Sequence, residues 1–346
     1  MTRASHHLYS IGRLAVLAAG AAAWPQAAQA CELKLLGEIP IAMEDGRPMI
    51  AGKINGHDVT MLADTGASSS TIAGPTVAAM GLRTTQVDGV RFVGVGGSIK
   101  ANKANIDTIK LGTLSFGPLS MFVAGNDGPD ALIGTDVLGL SPDLEVDLAH
   151  NAIRLLKSKD CAEGEVIYWK TPFAMEKLEP FTSKVTKEYR VKVTVNGRRL
   201  EALLDTGAQM SVLTLDGARK SGILLSDEAV RNAGLLSGVG EKTVSTVSVK
   251  LDLFEFDQEK IMNTRIHVAD LFRATKEAPL GTRLKRAVMD EPSMILGADF
   301  FLAHRVFIAT EEKKVYITYS GGPIFRTEPE PAAAPAAPPP EASPAN

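Results

Sequence analysis

The chain has 346 residues, of which 45% are hydrophobic and 22% are charged. This composition is typical of a globular protein with room for one large domain or two smaller ones. The net charge of -3 gives no general attraction to phosphate backbones or anionic lipid, so nucleic acid is not expected as a partner.

The first 30 residues have the pattern of a secretory signal peptide. Arg3 and Arg13 precede an apolar run over residues 14–24, and an Ala-Gln-Ala cleavage pattern follows at residues 28–30. The run is too short to span a bilayer, and no later segment is long and apolar enough for stable membrane insertion. The sequence predicts removal of residues 1–30 and a periplasmic or secreted location.

Two cysteines, Cys31 and Cys161, remain after that cleavage. An even pair in an exported chain is compatible with a disulfide. Two alternatives stay open. Cys31 as a lipid-modified first residue is disfavoured, because Ala28 stands where bacterial lipoprotein signals usually have leucine. Two unpaired buried thiols are the other alternative.

An internal repeat organises most of the chain. Each half has, in the same order, a strand with an Asn-Gly turn leading to Asp-Thr-Gly, a glycine-rich element, an apolar pair running into glycine, and a closing strand. These features lie at residues 49–66, 92–101, 131–138 and 151–156, and again at 190–207, 236–245, 294–301 and 313–319. One such coincidence would be weak, but four in register indicate duplication.

Alternation with period 2 dominates both halves, which predicts a mostly-β protein with two related lobes. The Asn55-Gly56 and Asn196-Gly197 pairs predict two-residue type I′ hairpins. Helical patterns are confined to short pieces at residues 74–80, 215–220 and 299–304. The predicted organisation is a signal peptide (1–30), an N-terminal lobe (31–158), a linker (159–181), a C-terminal lobe (182–320) and a disordered tail rich in Pro and Ala (321–346).

The repeated Asp-Thr-Gly-Ala turn is the candidate for chemistry. Gly66 and Gly207 let the backbone pass close to whatever the preceding carboxylate acts on. A single copy is usually an ordinary loop. Two lobes related by an approximate two-fold axis, however, can bring Asp64 and Asp205 face to face. Two adjacent carboxyl groups share one proton, so the pair can act as both general acid and general base on a water molecule.

The chain resembles a retropepsin-type aspartic protease in which two half-molecules lie on one polypeptide. The resemblance rests on Asp64-Thr65-Gly66-Ala67 with Ser70-Thr71-Ile72, on Asp205-Thr206-Gly207-Ala208 with Ser211-Val212-Leu213, and on Gly134 and Gly297 after paired apolar residues. It implies a bilobal acid-protease fold made of two pseudo-two-fold-related retropepsin-like β-barrel lobes. The implied activity is peptide hydrolysis without a covalent intermediate.

The resemblance also implies residue roles. Asp64 and Asp205 would form the catalytic dyad, while Thr65 and Thr206 would lock the two turns together. The flap candidates, which would close over an extended peptide or protein substrate, are Gly94, Val95, Gly96, Gly238, Val239 and Gly240. Ordinary hairpin tips would contain the same glycines. The single chain is expected to act as a monomer, although pairing of each half with a half of another chain is an alternative.

The chain departs from the retroviral pattern at one pair of positions in each lobe. Ser68 and Gln209 stand where retroviral enzymes usually have an aspartate that contacts the substrate main chain. Thr135 and Ala298 stand where those enzymes have its arginine partner. The departures leave the dyad intact, but they remove any basis for transferring the subsite preferences of those enzymes.

Two further features recur or stand out. Asp136 and Asp299 each precede a short apolar helical pattern, which predicts that they are N-caps. A basic stretch over residues 272–292 has no counterpart in the first half. Loops of this length are often functional, but a solvated basic insertion is at least as consistent with the sequence.

Other chemistries lack their motifs. There is no H-E-x-x-H, C-x-x-C or G-x-S-x-G, and the six histidines are scattered, so neither a metal nor another cofactor is expected. The leading hypothesis is an exported aspartic endopeptidase. The alternative is a non-catalytic peptide-binding module on the same scaffold, because a fold alone does not establish function.

Overall fold

The structure is a computed structural model that describes residues 30–94, 97–181, 187–225, 231–236, 243–272 and 291–325. The predicted signal peptide therefore lies almost entirely outside the described residues. The described residues from Cys31 onward belong to one compact unit. Most of it is β-strand, arranged in three sheets, which confirms the predicted mostly-β class.

The strands of the first half are β1 (Glu32–Pro40), β2 (Ala42–Glu44), β3 (Arg47–Ile54), β4 (His57–Ala63), β5 (Thr71–Ile72), β6 (Thr84–Gly94), β7 (Gly97–Ile106), β8 (Ile109–Leu111), β9 (Leu114–Phe116), β10 (Leu119–Val123), β11 (Ala131–Ile133), β12 (Asp143–Asp147) and β13 (Ala152–Lys159). Those of the second half are β14 (Ala174–Lys177), β15 (Arg190–Val195), β16 (Arg198–Leu204), β17 (Val212–Thr214), β18 (Arg231–Leu236), β19 (Val244–Phe256), β20 (Glu259–Ala269), β21 (Met294–Leu296), β22 (His304–Ala309) and β23 (Lys314–Tyr319). Short helices are α1 (Gly74–Ala79), α2 (Thr135–Leu138), α3 (Leu215–Lys220) and α4 (Ala298–Ala303), with a 3-10 turn at Leu148–His150.

The second lobe is a closed barrel. Its strands follow the order β15-β16-β21-β17-β20-β19, and β15 also pairs with β19, which closes the ring, while β18 extends β19 on the outside. The first lobe repeats this arrangement as a curled sheet in the order β6-β7-β10-β5-β11-β4-β3-β8-β9. There the strand that matches β19 is divided into β7 and β8, and β8 pairs with β3.

An Asn-Gly turn closes the first hairpin of each lobe. Asn55 and Asn196 have φ of 49° and 47°, and the following glycines have φ of 86° and 74°, as a type I′ turn requires. The Oδ1 of Asn55 accepts hydrogen bonds from the backbone N–H of Asp107 and Thr108. Asparagine therefore both adopts the left-handed conformation and ties the turn to a neighbouring strand.

A six-stranded sheet contains strands from both halves, in the order β1-β13-β12-β22-β23-β14. It is approximately symmetric, because β12 and β13 match β22 and β23, and β1 matches β14. Strand β14 lies in the segment predicted to be a linker, so part of that segment is a structural strand. The lobe boundaries themselves remain a prediction.

Contacts hold the first and last described segments, near Cys31 and Phe325, to the rest of the described structure. A disulfide joins Cys31 to Cys161, 130 residues apart. The sequence predicts a disordered tail from residue 321, whereas Phe325 is only 6% exposed and its ring packs edge-on against Phe254 at 5.1 Å. The prediction is wrong for residues 321–325, because Ile324 and Phe325 supply apolar surface that the rest of the tail lacks.

In the described ranges no helix is long and apolar enough to cross a membrane.

Candidate active site

Asp64 stands at the point where β4 leaves the first-lobe sheet. Strand β4 pairs in parallel with β11, and the backbone N–H of Asp64 still donates to Ile133 O at 2.9 Å. The chain then turns back on itself, so that the N–H groups of Gly66 and Ala67 donate to Asp64 Oδ1 at 2.8 and 3.0 Å. The sheet and the turn therefore fix this carboxylate from both sides.

The second lobe reproduces the same arrangement around Asp205. Its N–H donates to Leu296 O at 2.9 Å, and its Oδ1 accepts from the N–H groups of Gly207 and Ala208 at 2.9 and 3.1 Å. Because backbone donors favour the ionised form of a carboxyl group, each turn can stabilise a negative charge at its aspartate.

The two turns face each other across the junction of the lobes. A Cβ atom on Gly66 would overlap the carboxyl group of Asp205, and a Cβ atom on Gly207 would overlap that of Asp64. Each glycine thus provides the space for the carboxyl group of the opposite lobe. The two carboxyl groups therefore lie side by side at this junction, so the structure brings together the two aspartates that the sequence singled out.

Thr65 and Thr206 connect the turns through a reciprocal set of hydrogen bonds. The N–H of each threonine donates to the Oγ1 of the other at 3.1 Å. Thr65 Oγ1 donates to Leu204 O at 2.8 Å, and Thr206 Oγ1 donates to Ala63 O at 2.7 Å. Both threonines are fully buried, so these bonds are protected from water and set the spacing of the two aspartates.

The environment of the pair favours protonation. Burial raises the pKa of Asp64 well above its ordinary value, and the neighbouring charge of Asp205 raises it further. Burial also raises the pKa of Asp205, while the hydrogen bond from Asp64 and the backbone donors act in the opposite direction. The two carboxyl groups therefore titrate as a coupled pair, and the pair is expected to retain one proton above the ordinary carboxyl range.

Asp136 and Asp299 are not N-caps, so that prediction is wrong. The N-cap positions of α2 and α4 belong to Gly134 and Gly297, and neither cap is made by a side chain. Each of the two aspartates is the second residue of its helix, where it accepts hydrogen bonds from a serine that follows an Asp-Thr-Gly turn. The hydrogen bonds with the serines are tertiary contacts, and they take precedence over the local preference of aspartate for the N-cap position.

The second-lobe serine network is completely buried. Ser211 donates to Asp299 Oδ1 through its N–H at 2.8 Å and its Oγ at 2.6 Å, while Ser211 Oγ accepts from the N–H of Gly297 at 3.0 Å. Ser70, Asp136 and Gly134 repeat these contacts in the first lobe. The sequence analysis included both serines in the family resemblance but assigned them no role, although each follows the aspartate of its Asp-Thr-Gly turn by six residues.

Replacing Ser211 with alanine is expected to lower the free energy of unfolding by about 1–3 kcal/mol, because it removes the acceptor of the buried Gly297 N–H and the Oγ donor to Asp299. Ser70→Ala is the matched control. Its carboxylate partner, Asp136, is exposed and can bind water instead, so a smaller loss is expected. Urea unfolding measures both, and equal losses would contradict the role given to burial.

The flap candidates are only partly described. Strands β6 and β7 form an antiparallel hairpin that ends at the pair Gly94 and Gly97. Val95 and Gly96 lie outside the described residues, as do Gly238, Val239 and Gly240. The first-lobe hairpin has the topology expected of a flap, and a flap role for these six residues stays a prediction. Most of the basic stretch, residues 273–290, is also outside the described ranges.

Two of the four positions that depart from the retroviral pattern make contacts between the lobes. Gln209 Nε2 donates to Asp45 O in the turn between β2 and β3, which links the second-lobe catalytic turn to the first lobe. Thr135 Oγ1 donates to Lys187 O at 2.6 Å, which links the lobes again at α2. Ala298 is fully buried. Sequence reasoning gave no signal for either contact between the lobes.

No group of three or more His, Cys, Asp or Glu side chains that could hold a metal ion occurs in the part of the chain that the structure describes.

Comparisons with known proteins identify both repeats. Residues 50–139 match a family described as gag-polyprotein putative aspartyl protease, and residues 191–300 match a family described as aspartyl protease. Together the matches cover more than half of the chain. No sequence among the curated proteins matches it significantly.

Solved structures similar to the chain include an aspartic proteinase from Irpex lacteus, with 12% identity, 84% of this chain and 97% of that chain covered, and a TM-score of 0.47. Basic 7S globulin from soybean has 12% identity, with 84% of this chain and 95% of that chain covered, and a TM-score of 0.40. A retropepsin-like aspartic protease from Rickettsia conorii has 20% identity, with 37% of this chain and 95% of that chain covered, and a TM-score of 0.27. On the two family matches, the chain belongs to the aspartyl proteases and carries two retropepsin-like repeats in tandem.

Proposed function

We propose that the protein is an aspartic endopeptidase that hydrolyses peptide bonds with a water molecule activated between Asp64 and Asp205. The single observation that supports this proposal is that each carboxyl group lies against the glycine of the opposite Asp-Thr-Gly turn, at the junction of the repeats. One carboxyl group alone cannot be acid and base at the same time, whereas a pair that shares one proton can.

The proposed reaction begins with Asp205 ionised and Asp64 protonated. Asp205 takes a proton from the water as its oxygen attacks the carbonyl carbon, and Asp64 donates a hydrogen bond to the carbonyl oxygen. The tetrahedral intermediate then collapses, the C–N bond breaks, and the amine leaves with the proton held by Asp205. The products are a carboxylic acid and an amine, and no bond to the enzyme forms.

The surroundings support these roles. The backbone N–H groups of Gly207 and Ala208 stabilise the negative charge of Asp205 before the reaction. The threonine contacts keep the carboxyl groups within reach of one water molecule. A peptide in extended conformation would occupy the cleft between the lobes beneath the β6–β7 hairpin, with backbone hydrogen bonds of the strand-addition type.

We also propose that the protein acts after export, in a periplasm or outside the cell. The signal-like sequence of residues 1–30 motivates this proposal. The disulfide between Cys31 and Cys161 is an independent observation in its favour, because disulfides persist mainly in oxidising compartments.

A peptide-binding module without catalysis is the second candidate. It shares the cleft but needs no proton donor. The preservation of both aspartates, both glycines and both threonines in contact favours catalysis, since a binding module would retain its function after losing one carboxyl group. Peptide binding without hydrolysis over a wide pH range would favour the module.

The pH dependence of cleavage tests the shared proton. Because the pKa of Asp64 is raised, the pair keeps its proton above the ordinary carboxyl pKa of about 3.9, and activity should persist there and fall only when that proton is lost. Folding stability should follow the same sign. A raised folded-state pKa gives a contribution that is complete below the unfolded-state pKa and is lost as pH rises through the folded-state value. We therefore expect kcat/KM, measured on one peptide that the protein cleaves, to fall with rising pH only at values above the ordinary carboxyl pKa of about 3.9.

A further inference from the structure

Arg47 lies beside the candidate active site. The antiparallel register of β3 and β4 pairs Met49 with Leu62 and Ile50 with Met61. The paired residues end at Met49 and Leu62, and the same register continued by two positions would bring Arg47 beside Asp64, since neighbouring strands are about 4.8 Å apart. The backbone of Arg47 is therefore next to the catalytic turn of the first lobe.

The side chain of Arg47 is on the face of β3 that does not enter the main core. Ile50 and Ile54 belong to that core, whereas Met49 does not. Since side chains alternate along a strand, Arg47 shares the face of Met49. The same row across the sheet continues through Leu62 and Leu132, which flank the point where the chain turns at Asp64.

The start of β3 is fixed by a contact between the lobes. Gln209 Nε2 donates to Asp45 O, and a Cβ atom at Gly46 would be 3.8 Å from Gln209 Cβ. The turn between β2 and β3 is thus held against the second-lobe catalytic turn, four residues after Asp205. This contact positions the backbone of Arg47 relative to both aspartates.

Arg47 has an unused hydrogen-bonding group. Its Nε is buried and has no hydrogen-bond partner among the described residues, while the side chain as a whole is half-buried. Glu44 is directly opposite Arg47 on β2, yet no ion pair joins the two residues in the described structure. A buried donor without a partner is uncommon and calls for a ligand or another explanation.

The corresponding position in the second lobe is different. Arg47 precedes Asp64 by 17 residues, and Glu188 precedes Asp205 by the same interval. Glu188 is neutralised by Arg190, whose guanidinium donates to Glu188 Oε2 at 2.5 and 2.9 Å. Among the described residues, the first repeat therefore has a cation without an ion-pair partner at the position where the second repeat has a closed ion pair.

We propose that Arg47 is a specificity-determining residue that binds a carboxylate of the peptide substrate. This proposal rests on the proposed function and names the substrate class: peptides with a carboxylate a few residues from the bond that is cleaved. A guanidinium presents donors in a fork that matches a carboxylate. The carboxylate can come from an Asp or Glu side chain or from a free C-terminus.

Two peptide series distinguish these sources. In the first, a single glutamate or glutamine is placed at successive positions on either side of the cleaved bond. In the second, peptides end at successive positions in a free carboxylate or an amide. We expect the carboxylate form to be favoured about tenfold or more in kcat/KM at one position, as for a charge-assisted hydrogen bond. The assay is done at about pH 6, where carboxyl groups are ionised.

Arg47→Gln should abolish this ratio. Arg198→Gln should preserve it, because Arg198 is exposed at the far hairpin of the second lobe and its loss changes the net charge equally. Anisotropy of labelled peptides on the Asp64→Asn variant repeats the comparison without hydrolysis. A carboxylate preference that depends on Arg47, in cleavage or in binding, supports the role of Arg47. If the wild-type protein binds these peptides but cleaves none of them, the role of Arg47 stands and the proposed hydrolysis is contradicted.

Cleavage or binding without a carboxylate preference would overturn the role of Arg47 and leave the proposed function standing. The same holds for a preference that survives in Arg47→Gln. Failure of every peptide to bind or to be cleaved would overturn both proposals.

Discussion

Asp64→Asn and Asp205→Asn are each expected to lower kcat/KM for peptide cleavage by about 10³–10⁴-fold, at the upper end of the range for general acid–base catalysis. Asparagine has nearly the same shape and can still accept the backbone hydrogen bonds through its Oδ1, but it cannot exchange a proton with the water or with the other aspartate. The remaining carboxyl group can be either acid or base, and the reaction needs both.

The measurement is initial-rate cleavage of a peptide found in an unbiased mixture. Asp58→Asn is the control, because Asp58 is an exposed aspartate at the first hairpin that forms an ion pair with Lys53. Its activity should equal that of the wild type. Retention of more than a tenth of the wild-type rate by either dyad variant would remove that residue from the mechanism.

Gly207→Ala is expected to reduce cleavage by about 100-fold or more, the cost of displacing a reacting group by roughly 1 Å. The new methyl group would overlap the carboxyl group of Asp64, so the pair would have to separate. Gly66→Ala should behave alike through Asp205. Neither glycine has the positive φ that excludes alanine, and the effect therefore comes from the opposite carboxyl group and not from backbone strain.

Gly197→Ala separates this effect from lost stability. Gly197 has φ of 74° and open space around it, so alanine there should destabilise the fold by about 1 kcal/mol without altering activity of the folded protein. Thermal unfolding and cleavage rates should be measured on all three variants. Wild-type activity in Gly207→Ala would mean that the two carboxyl groups are farther apart than described.

Much of the architecture could be predicted because its signals are local and repeated. The Asn55-Gly56 and Asn196-Gly197 hairpins follow from the positive φ that asparagine and glycine tolerate. Two copies of Asp-Thr-Gly in matching surroundings indicated a pair of facing turns, since duplication implies symmetry. The two family matches confirm the resemblance to retropepsin-like proteases.

Other features depend on contacts that no local pattern encodes. Asp136 was expected to cap a helix, but Ser70 is brought to it by folding, and its donors take precedence over the local preference. Strand β14 has no strong pattern of its own and is a strand because β23 offers it an edge. Phe325 belongs to a proline-rich tail by composition, yet it packs on Phe254 because the second barrel presents apolar surface there.

The contact between Gln209 and Asp45 shows the same limit at the site. Gln209 could be recognised in the sequence as a departure from the retroviral aspartate, but its partner lies 164 residues away. The isolation of Arg47 and the pairing of Glu188 likewise depend on which side chains meet after folding. The particular contacts that distinguish the two repeats therefore required the structure, whereas the pairing of Asp64 with Asp205 could be predicted from the sequence.

The central claim is that the paired aspartates direct water onto a peptide bond. Mass spectrometry of peptides incubated with the purified protein in ¹⁸O-labelled water tests it most directly. We predict products that carry one ¹⁸O atom in the new carboxyl group, no covalent peptide–enzyme species, and loss of these products in Asp64→Asn and Asp205→Asn. Intact peptides at every pH, or products that form equally in both variants, would contradict the account.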